Sequence, residues 1–157
     1  MTVFHLSNPV GNNMKIYFAG SIRGGRDDMG LYAEVIKTLS SYGKVLTEHV
    51  GDKTLSVMGE DGPSDKYIHD RDVAWIKEAD VVIAEVTTVS LGVGYEIAKA
   101  EEWGKKILCI YREQEGRRVS AMIAGSEKLE IKKYESLDDL KEMFTEFFRN
   151  QIRNERE

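Results

Sequence analysis

A chain of 157 residues is long enough for one domain with a real hydrophobic core and too short for two comfortable ones. Its 41% hydrophobic and 31% charged residues are those of an ordinary globular protein, and a net charge of −5 gives no global field to attract nucleic acid polymers or anionic membranes. A phosphorylated small molecule would have to be held by a local cluster of donors. Cys109 is the only cysteine, which excludes an intrachain disulfide, and its apolar surroundings, Ile107 to Tyr111, suggest a buried structural thiol. No apolar stretch approaches the ~20 residues that span a bilayer. The opening Met1-Thr2-Val3-Phe4-His5 lacks the basic and then apolar regions of a signal peptide, so the expected location is cytoplasmic.

Residues 1–13 are polar and aperiodic and read as a flexible N-terminal extension to a single domain over 14–152, with a polar tail over 153–157. From Met14 onward, strand-like and helix-like runs alternate. Lys15 to Gly20 reads as a buried strand. Asp28 to Tyr42 carries Leu31, Val35, Ile36 and Leu39 at helical spacing and closes on Gly43. Lys44 to Glu48 is a second strand, and a glycine-rich acidic loop, Gly51 to Gly62, leads to a helix from about Ser64 to Glu78. Asp80 to Glu85 is continuous and apolar, as a strand covered on both faces must be. A helix over Gly92 to Trp103, a strand over Lys106 to Tyr111 and a short turn or helix at Ser120 to Ala124 follow. The chain ends with a strand over Leu129 to Tyr134 and an amphipathic helix capped by Ser136 that carries Leu137, Leu140, Met143, Phe144, Phe147 and Phe148. This alternation predicts an α/β fold: one doubly wound domain with a five-stranded parallel sheet and helices on both faces. Ligands of such folds bind beyond the C-terminal ends of the strands, here after Gly20, Glu48, Glu85 and Tyr111.

Three of those regions carry chemistry. Tyr17-Phe18-Ala19-Gly20-Ser21-Ile22-Arg23-Gly24-Gly25-Arg26 runs from a strand into a glycine-rich turn whose amides, hydroxyl and guanidinium groups suit a phosphate dianion. It is neither a P-loop nor a dinucleotide fingerprint, and a tight turn with surface arginines is the alternative. Ser90-Leu91-Gly92-Val93-Gly94-Tyr95-Glu96 opens a helix that Ser90 is placed to cap, with first-turn amides for an anion. Glu96 lies about one turn in, as a functional carboxylate or as a solvated residue favoured by the helix dipole. Tyr67-Ile68-His69-Asp70-Arg71-Asp72-Val73-Ala74-Trp75 carries acids that precede the central strand and could project over the sheet edge, although taken alone its Asp-Arg-Asp reads as a solvated, salt-bridged helix face. Together the set holds two carboxylates, a tyrosine and separate phosphate donors, the inventory for cleaving a glycosidic bond with one carboxylate attacking and the other managing protons.

These residues resemble a known family. The runs Tyr17 to Arg26, Tyr42 to Val50, Ala79 to Val82, Ser90 to Glu96 and Ser120 to Ile123 are similar, in register from about Ile16 to Ile123, to the 2′-deoxynucleoside 5′-phosphate N-hydrolases, relatives of the nucleoside 2-deoxyribosyltransferases. The resemblance implies a flavodoxin-like fold and a homodimer with shared active sites. The implied substrate is a small-molecule deoxynucleoside 5′-monophosphate, with no cofactor and no metal. By position it implies that Glu96 is the nucleophile, Asp72 the acid that protonates the leaving base, and Tyr17 the group that orients the nucleophile and lines the sugar. Ser21, Arg23, Ser90 and the Gly92 amide match phosphate contacts, and Ser120 matches the contact supplied by the neighbouring subunit. Tyr32, His49 and Met122 match pocket positions near sugar and base, and Ile16, Phe18, Ala19, Gly20, Ile22 and Ala121 complete the expected substrate-binding set. His49 reads equally well as a capping histidine at a strand end, and His69 reads as structural.

Three rivals bear on the reading. Deoxyribosyl transfer to a second base is one; the resemblance implies that transferases hold the sugar 5′-OH with carboxylates, where this chain has serines and an arginine suited to phosphate. A non-catalytic nucleotide-binding module would fit the fold but would need no paired carboxylates. A cytokinin-type phosphoribohydrolase would want a Pro-Gly-Gly run that Thr88-Val89-Ser90-Leu91 lacks.

Overall fold

A computed structural model describes residues 13–22, 28–47 and 62–154 of the chain. Five strands, β1 (Lys15–Ala19), β2 (Lys44–Val45), β3 (Val81–Glu85), β4 (Lys106–Tyr111) and β5 (Glu130–Lys133), form one parallel sheet in the order β2-β1-β3-β4-β5. The helices are α1 (Met29–Leu39), α2 (Asp65–Glu78), α3 (Leu91–Glu102), α4 (Ala121–Ala124) and α5 (Leu137–Asn154). The doubly wound, flavodoxin-like order is the one expected, and α5 carries Arg153 and Asn154, which the sequence assigns to the tail, in its last turn. The expected extension lies outside the described residues apart from Asn13, as do Arg23, His49 and most of the acidic loop after β2.

Serines begin the helices where expected. Ser64 accepts from the Tyr67 amide at 3.2 Å and Ser90 from the Val93 amide at 3.3 Å. At α5 the cap is reciprocal: Ser136 Oγ takes the Asp139 amide at 3.2 Å, and Asp139 Oδ2 takes the amides of Glu135 and Ser136 at 2.9 and 3.0 Å. The second strand is shorter than the Lys44–Glu48 run expected. Its ladder to β1 covers only Lys44 and Val45, and the Leu46 amide still reaches the Ile16 carbonyl at 2.9 Å. At Thr47 the side chain takes over: its hydroxyl accepts from the Phe18 amide at 2.9 Å and donates to the Phe18 carbonyl at 2.8 Å. A β-branched hydroxyl thus satisfies the edge of β1 where the backbone has turned away.

Side chains alternate across the sheet and build two cores. On one face Ile16, Phe18, Ile83, Leu108 and Ile110 pack against Tyr32, Val35 and Leu39 of α1 and Leu140, Phe144 and Phe148 of α5. On the other, Tyr17, Ala19, Val82, Ala84, Ile107 and Cys109 meet Ile76 of α2 and Val93, Ile97 and Ala100 of α3. Burial of each such side chain is worth about 1.5–3 kcal/mol, so the apolar runs of β3 and β4 supply the main drive to fold. Cys109 is fully buried, as expected, and burial pushes its thiol up to about 12. Because β1 leads to α1 on one face and β3 to α3 on the other, a crevice opens between their C-terminal ends. No helix among the described residues is long and apolar enough to cross a membrane.

Candidate active site

Tyr17 sits in the middle of β1 opposite Val82 of β3, and strand alternation turns its ring toward α2 and α3. Only 1% of the residue is exposed, and its hydroxyl donates to Glu96 Oε1 at 2.7 Å. The two residues lie 79 positions apart in sequence. Glu96 reaches this point from the second turn of α3, whose start Ser90 fixes. Burial pushes its carboxyl up to about 7, the Asp72 charge adds to the rise, and the Tyr17 hydrogen bond works against it. Burial likewise raises the Tyr17 hydroxyl far above the ordinary tyrosine range, with Glu96 and then Asp72 adding to it, so the hydroxyl stays a donor at any working pH.

Asp72 comes from α2 and brings a partner that the sequence reading passed over. Arg71 points both Nε and Nη2 at Asp72 Oδ1, each at 2.9 Å, in a pair whose side chains are 16% and 20% exposed. The guanidinium lies 5.8 Å from the Tyr67 ring and 4.8 Å from the Trp75 ring, one helical turn before and after it. Its charge also reaches the Tyr17 hydroxyl. The run that reads as a solvated helix face therefore supplies a fixed ion pair near the buried tyrosine and half-buried glutamate. The signal that could have found it is the aromatic residue four positions to either side of Arg71. His69 behaves as a structural residue: Nδ1 meets Asp70 Oδ1 at 2.9 Å and Nε2 meets the Tyr95 hydroxyl at 3.1 Å, tying α2 to α3 at their exposed edge.

The remaining expected contacts divide by face. Ala19 shares the Tyr17 face, and Ser21 follows β1 after Gly20, 1% exposed. Ile16, Phe18 and Tyr32 lie in the opposite core, with Ile22 half-buried against it, so their side chains are not brought to the carboxylates. The Tyr32 ring instead backs the turn after β1, 3.0 Å from where a Cβ on Gly20 would stand. Ser90 and Ser120 line one pocket of about 440 Å³, together with Leu91, Arg118, Met122 and Ile123. Ser120 caps α4, taking the Met122 amide at 3.3 Å, and leaves Ala121 and Met122 exposed. Gly92 is not required by packing: an added Cβ would meet only Ser90 Oγ, at 3.8 Å, and one on Gly94 would meet nothing within 4 Å. Among the described residues no cluster of three or more His, Cys, Asp or Glu side chains is arranged to hold a metal ion.

Fold and site together define an α/β protein with a carboxylate pair and a buried tyrosine in the crevice of a flavodoxin-like sheet. The chain belongs to the nucleoside 2-deoxyribosyltransferase family, whose sequence profile matches residues 16–144. It is 49% identical to the 5-hydroxymethyl-dUMP N-hydrolase of Tetraodon nigroviridis over 142 residues, which cover 88% of this chain and 99% of that one. The Danio rerio protein of the same name is 46% identical over 90% of this chain and its own full length. A putative 2′-deoxynucleoside 5′-phosphate N-hydrolase of Nematostella vectensis is 50% identical over 85% of this chain and 93% of its own. Among solved structures, the CMP N-glycosidase of Clostridium botulinum shares the fold with a TM-score of 0.60 at 17% identity, over 83% of this chain and 98% of that one.

Proposed function

We propose that the protein hydrolyses the N-glycosidic bond of 2′-deoxynucleoside 5′-monophosphates, releasing free base and 2-deoxyribose 5-phosphate. The observation that carries this reading is the part-buried Tyr17–Glu96 hydrogen bond, whose carboxyl lies within the electrostatic reach of Asp72. Relatives about half identical along the chain bear the names of N-hydrolases acting on such nucleotides, which supports it. In the proposed reaction the Glu96 carboxylate attacks the anomeric carbon while the bond to the base breaks. The bonding pair leaves with the base, which takes a proton from Asp72. Water then adds to the anomeric carbon with Glu96 as leaving group, and Asp72 recovers a proton. Tyr17 holds Glu96 in place and stabilises its charged form. The test is release of free base from a panel of deoxynucleoside monophosphates that includes 5-hydroxymethyl-dUMP, read by chromatography. Binding without release would leave the protein a nucleotide-binding module, and base exchange would make it a transferase. We also propose that it works in the cytoplasm.

A second assignment of roles is favoured by where the proton sits in the free protein. Burial keeps it on Glu96 below about pH 7, whereas Asp72 is ion-paired with Arg71. Either the proton passes to Asp72 before Glu96 attacks, or Asp72 attacks and Glu96 protonates the base. Trapping the glycosyl-enzyme with a slow 2′-fluoro substrate and mapping the labelled peptide separates the two: label on the α3 peptide supports Glu96, and label on the α2 peptide supports Asp72.

The active unit we propose is a homodimer in which Ser120 reaches the partner's phosphate site. Supporting it, Val89, Leu91 and Met122 are 83%, 94% and 83% exposed around Ser90 and Ser120, more apolar surface than a free helix start requires. If sites are shared, mixing Glu96→Ala with Ser120→Ala chains restores activity. A mixed dimer collects both lesions in one site and leaves the other intact, so random exchange returns about a quarter of wild-type activity. Activity that stays at the average of the two variants after verified exchange means that Ser120 serves its own chain, whose pocket it also lines with Ser90.

Gly92 gives an independent check on the phosphate end. Its φ is not positive, and its Cβ position is open, so Gly92→Ala should raise stability by about 0.5–1 kcal/mol through helix propensity. The methyl group would stand where the phosphate approaches the first-turn amides, and KM for the nucleotide should rise. A more stable variant with an unchanged KM would argue against phosphate binding at this amide.

A further inference from the structure

The C-terminal edge of the sheet carries a second polar cluster, on the face opposite the carboxylate pair, that the proposed reaction does not use. Glu85 closes β3 with no exposed surface; its Oε1 accepts from the Thr87 amide at 2.8 Å and from the Thr87 hydroxyl. Thr87 Oγ1 in turn accepts from the Arg112 amide at 2.9 Å, joining the end of β3 to the residue that follows β4. The Arg112 guanidinium lies 5.8 Å from the Tyr134 ring, and its Nη2 is 2.6 Å from Asp28 Oδ2. Among the described residues, Glu85 Oε2, Arg112 Nε and Nη2 and the Tyr134 hydroxyl are buried without a hydrogen-bond partner, so Arg112 and Asp28 meet as an ion pair without hydrogen-bond geometry. Charged and polar groups of β3, β4, β5 and α1 thus converge under the end of the sheet.

Asp28 is the informative member. It stands at the N-cap of α1, a position where aspartate ordinarily takes a first-turn amide, yet it makes no side-chain cap bond. Its carboxylate is turned to Arg112 instead, while its carbonyl still takes the Tyr32 amide at 2.9 Å. Tyr32, one turn into α1, is buried edge-on against Phe18 with its ring centroid 5.6 Å away, and its ring lies 3.0 Å from where a Cβ on Gly20, the residue before Ser21, would stand. A chain of contacts therefore runs from Glu85 through Thr87 to Arg112, and from Arg112 through Asp28 and Tyr32 to Gly20, the residue before Ser21. A partly buried ion pair with orphaned neighbours contributes little to net stability, so its value lies in geometry.

We propose that Arg112 is a positioning residue for the phosphate end of the site: held by Thr87, Tyr134 and Asp28, it fixes the first turn of α1, and Tyr32 then fixes the Gly20-Ser21 turn. The proposal rests on the reading of Ser21 as a phosphate contact. Asp28→Asn is the first variant, because asparagine has the same shape and caps helices equally well while losing the charge that pairs with Arg112. Arg112→Met is the second, and Arg112→Lys the conservative rescue. Two readouts are taken. Inorganic phosphate is titrated against the Ser21 amide resonance, which needs no turnover, and kcat and KM are measured for a deoxynucleotide and for its unphosphorylated nucleoside.

The expected result is about a tenfold loss of phosphate affinity at Ser21 in Asp28→Asn and Arg112→Met, partly restored in Arg112→Lys. KM for the nucleotide should rise by a similar factor, with kcat and nucleoside turnover little changed. Wild-type phosphate titration of Ser21 in Asp28→Asn overturns the proposal. So does an equal loss of nucleotide and nucleoside activity with a lowered Tm, which marks a merely structural role, or a wild-type Ser21 amide that ignores phosphate. Failure of the hydrolase reading itself looks different: the wild-type protein releases no base, while Ser21 still responds to phosphate and the variants still weaken that response.

Discussion

Glu96→Gln is expected to bind nucleotide, release no base and unfold at a higher temperature than the wild-type protein at pH 8. The amide keeps the shape of the carboxyl and offers Tyr17 an oxygen acceptor, so the 2.7 Å hydrogen bond can persist. It cannot attack the anomeric carbon, and turnover should fall by roughly 10³-fold or more. The stability change follows from the carboxyl's rise from about 4.5 in the unfolded chain to about 7 in the folded one. Between those values the folded protein holds more protons than the unfolded chain, so stability falls as pH climbs through the window. The contribution of neutral Glu96 is complete below about pH 4.5 and gone above about pH 7, where the charge is buried at a cost of about 1–3 kcal/mol after allowance for partial solvent access. Glutamine removes that cost, giving a Tm gain of roughly 2–8 °C at pH 8 that shrinks toward nothing at pH 5. Thermal unfolding of both proteins at the two pH values checks it. A glutamine variant less stable than wild type at pH 8, or one that still turns over, would sink the assignment.

Such a trade is common where function puts a charge under cover, and it explains which parts of this molecule the sequence made readable. Strands β3 and β4 declare themselves because burial on both faces demands unbroken apolar runs, and Ser90 and Ser136 mark helix starts because unpaired amides need a nearby hydroxyl. The pairing of Tyr17 with Glu96 has no local signature. Only the fold brings them together, and the family resemblance, rather than any periodicity, put both on the page. Arg71 was hidden for the opposite reason: charged residues on a helix usually face water, and only the aromatic residues one turn to either side, Tyr67 and Trp75, mark this one as covered. The length of β2 misled because Thr47 substitutes its hydroxyl for a backbone ladder. The contacts joining Glu85, Arg112, Asp28 and Tyr134 were unreadable altogether, since they come from four elements and depend on which face each side chain takes.

Removing the 5′-phosphate should cost the substrate a factor of roughly 10²–10⁴ in kcat/KM. The overall charge of −5 works against an anionic substrate, so any preference for the phosphate must come from short-range donors. Those proposed among the described residues are Ser21 after β1, the Ser90 hydroxyl and the Gly92 amide at the start of α3, and each bond to a dianion is worth about 1.5–3 kcal/mol. Two such bonds suffice for the lower bound, and the positive end of α3 adds about 0.3–1 kcal/mol. The loss should be divided between binding and turnover, because a handle that seats the sugar also brings the anomeric carbon to Glu96. The experiment compares a deoxynucleoside with its monophosphate at fixed ionic strength, with inorganic phosphate added to the nucleoside as a third arm. Partial rescue by free phosphate is expected, since an ion in the vacated site restores the charge pattern around the sugar without the covalent tether. Turnover of the nucleoside within tenfold of its monophosphate would refute a phosphate clamp and would move the reading toward the transferase branch of the family, where the 5′ end of the sugar carries no charge.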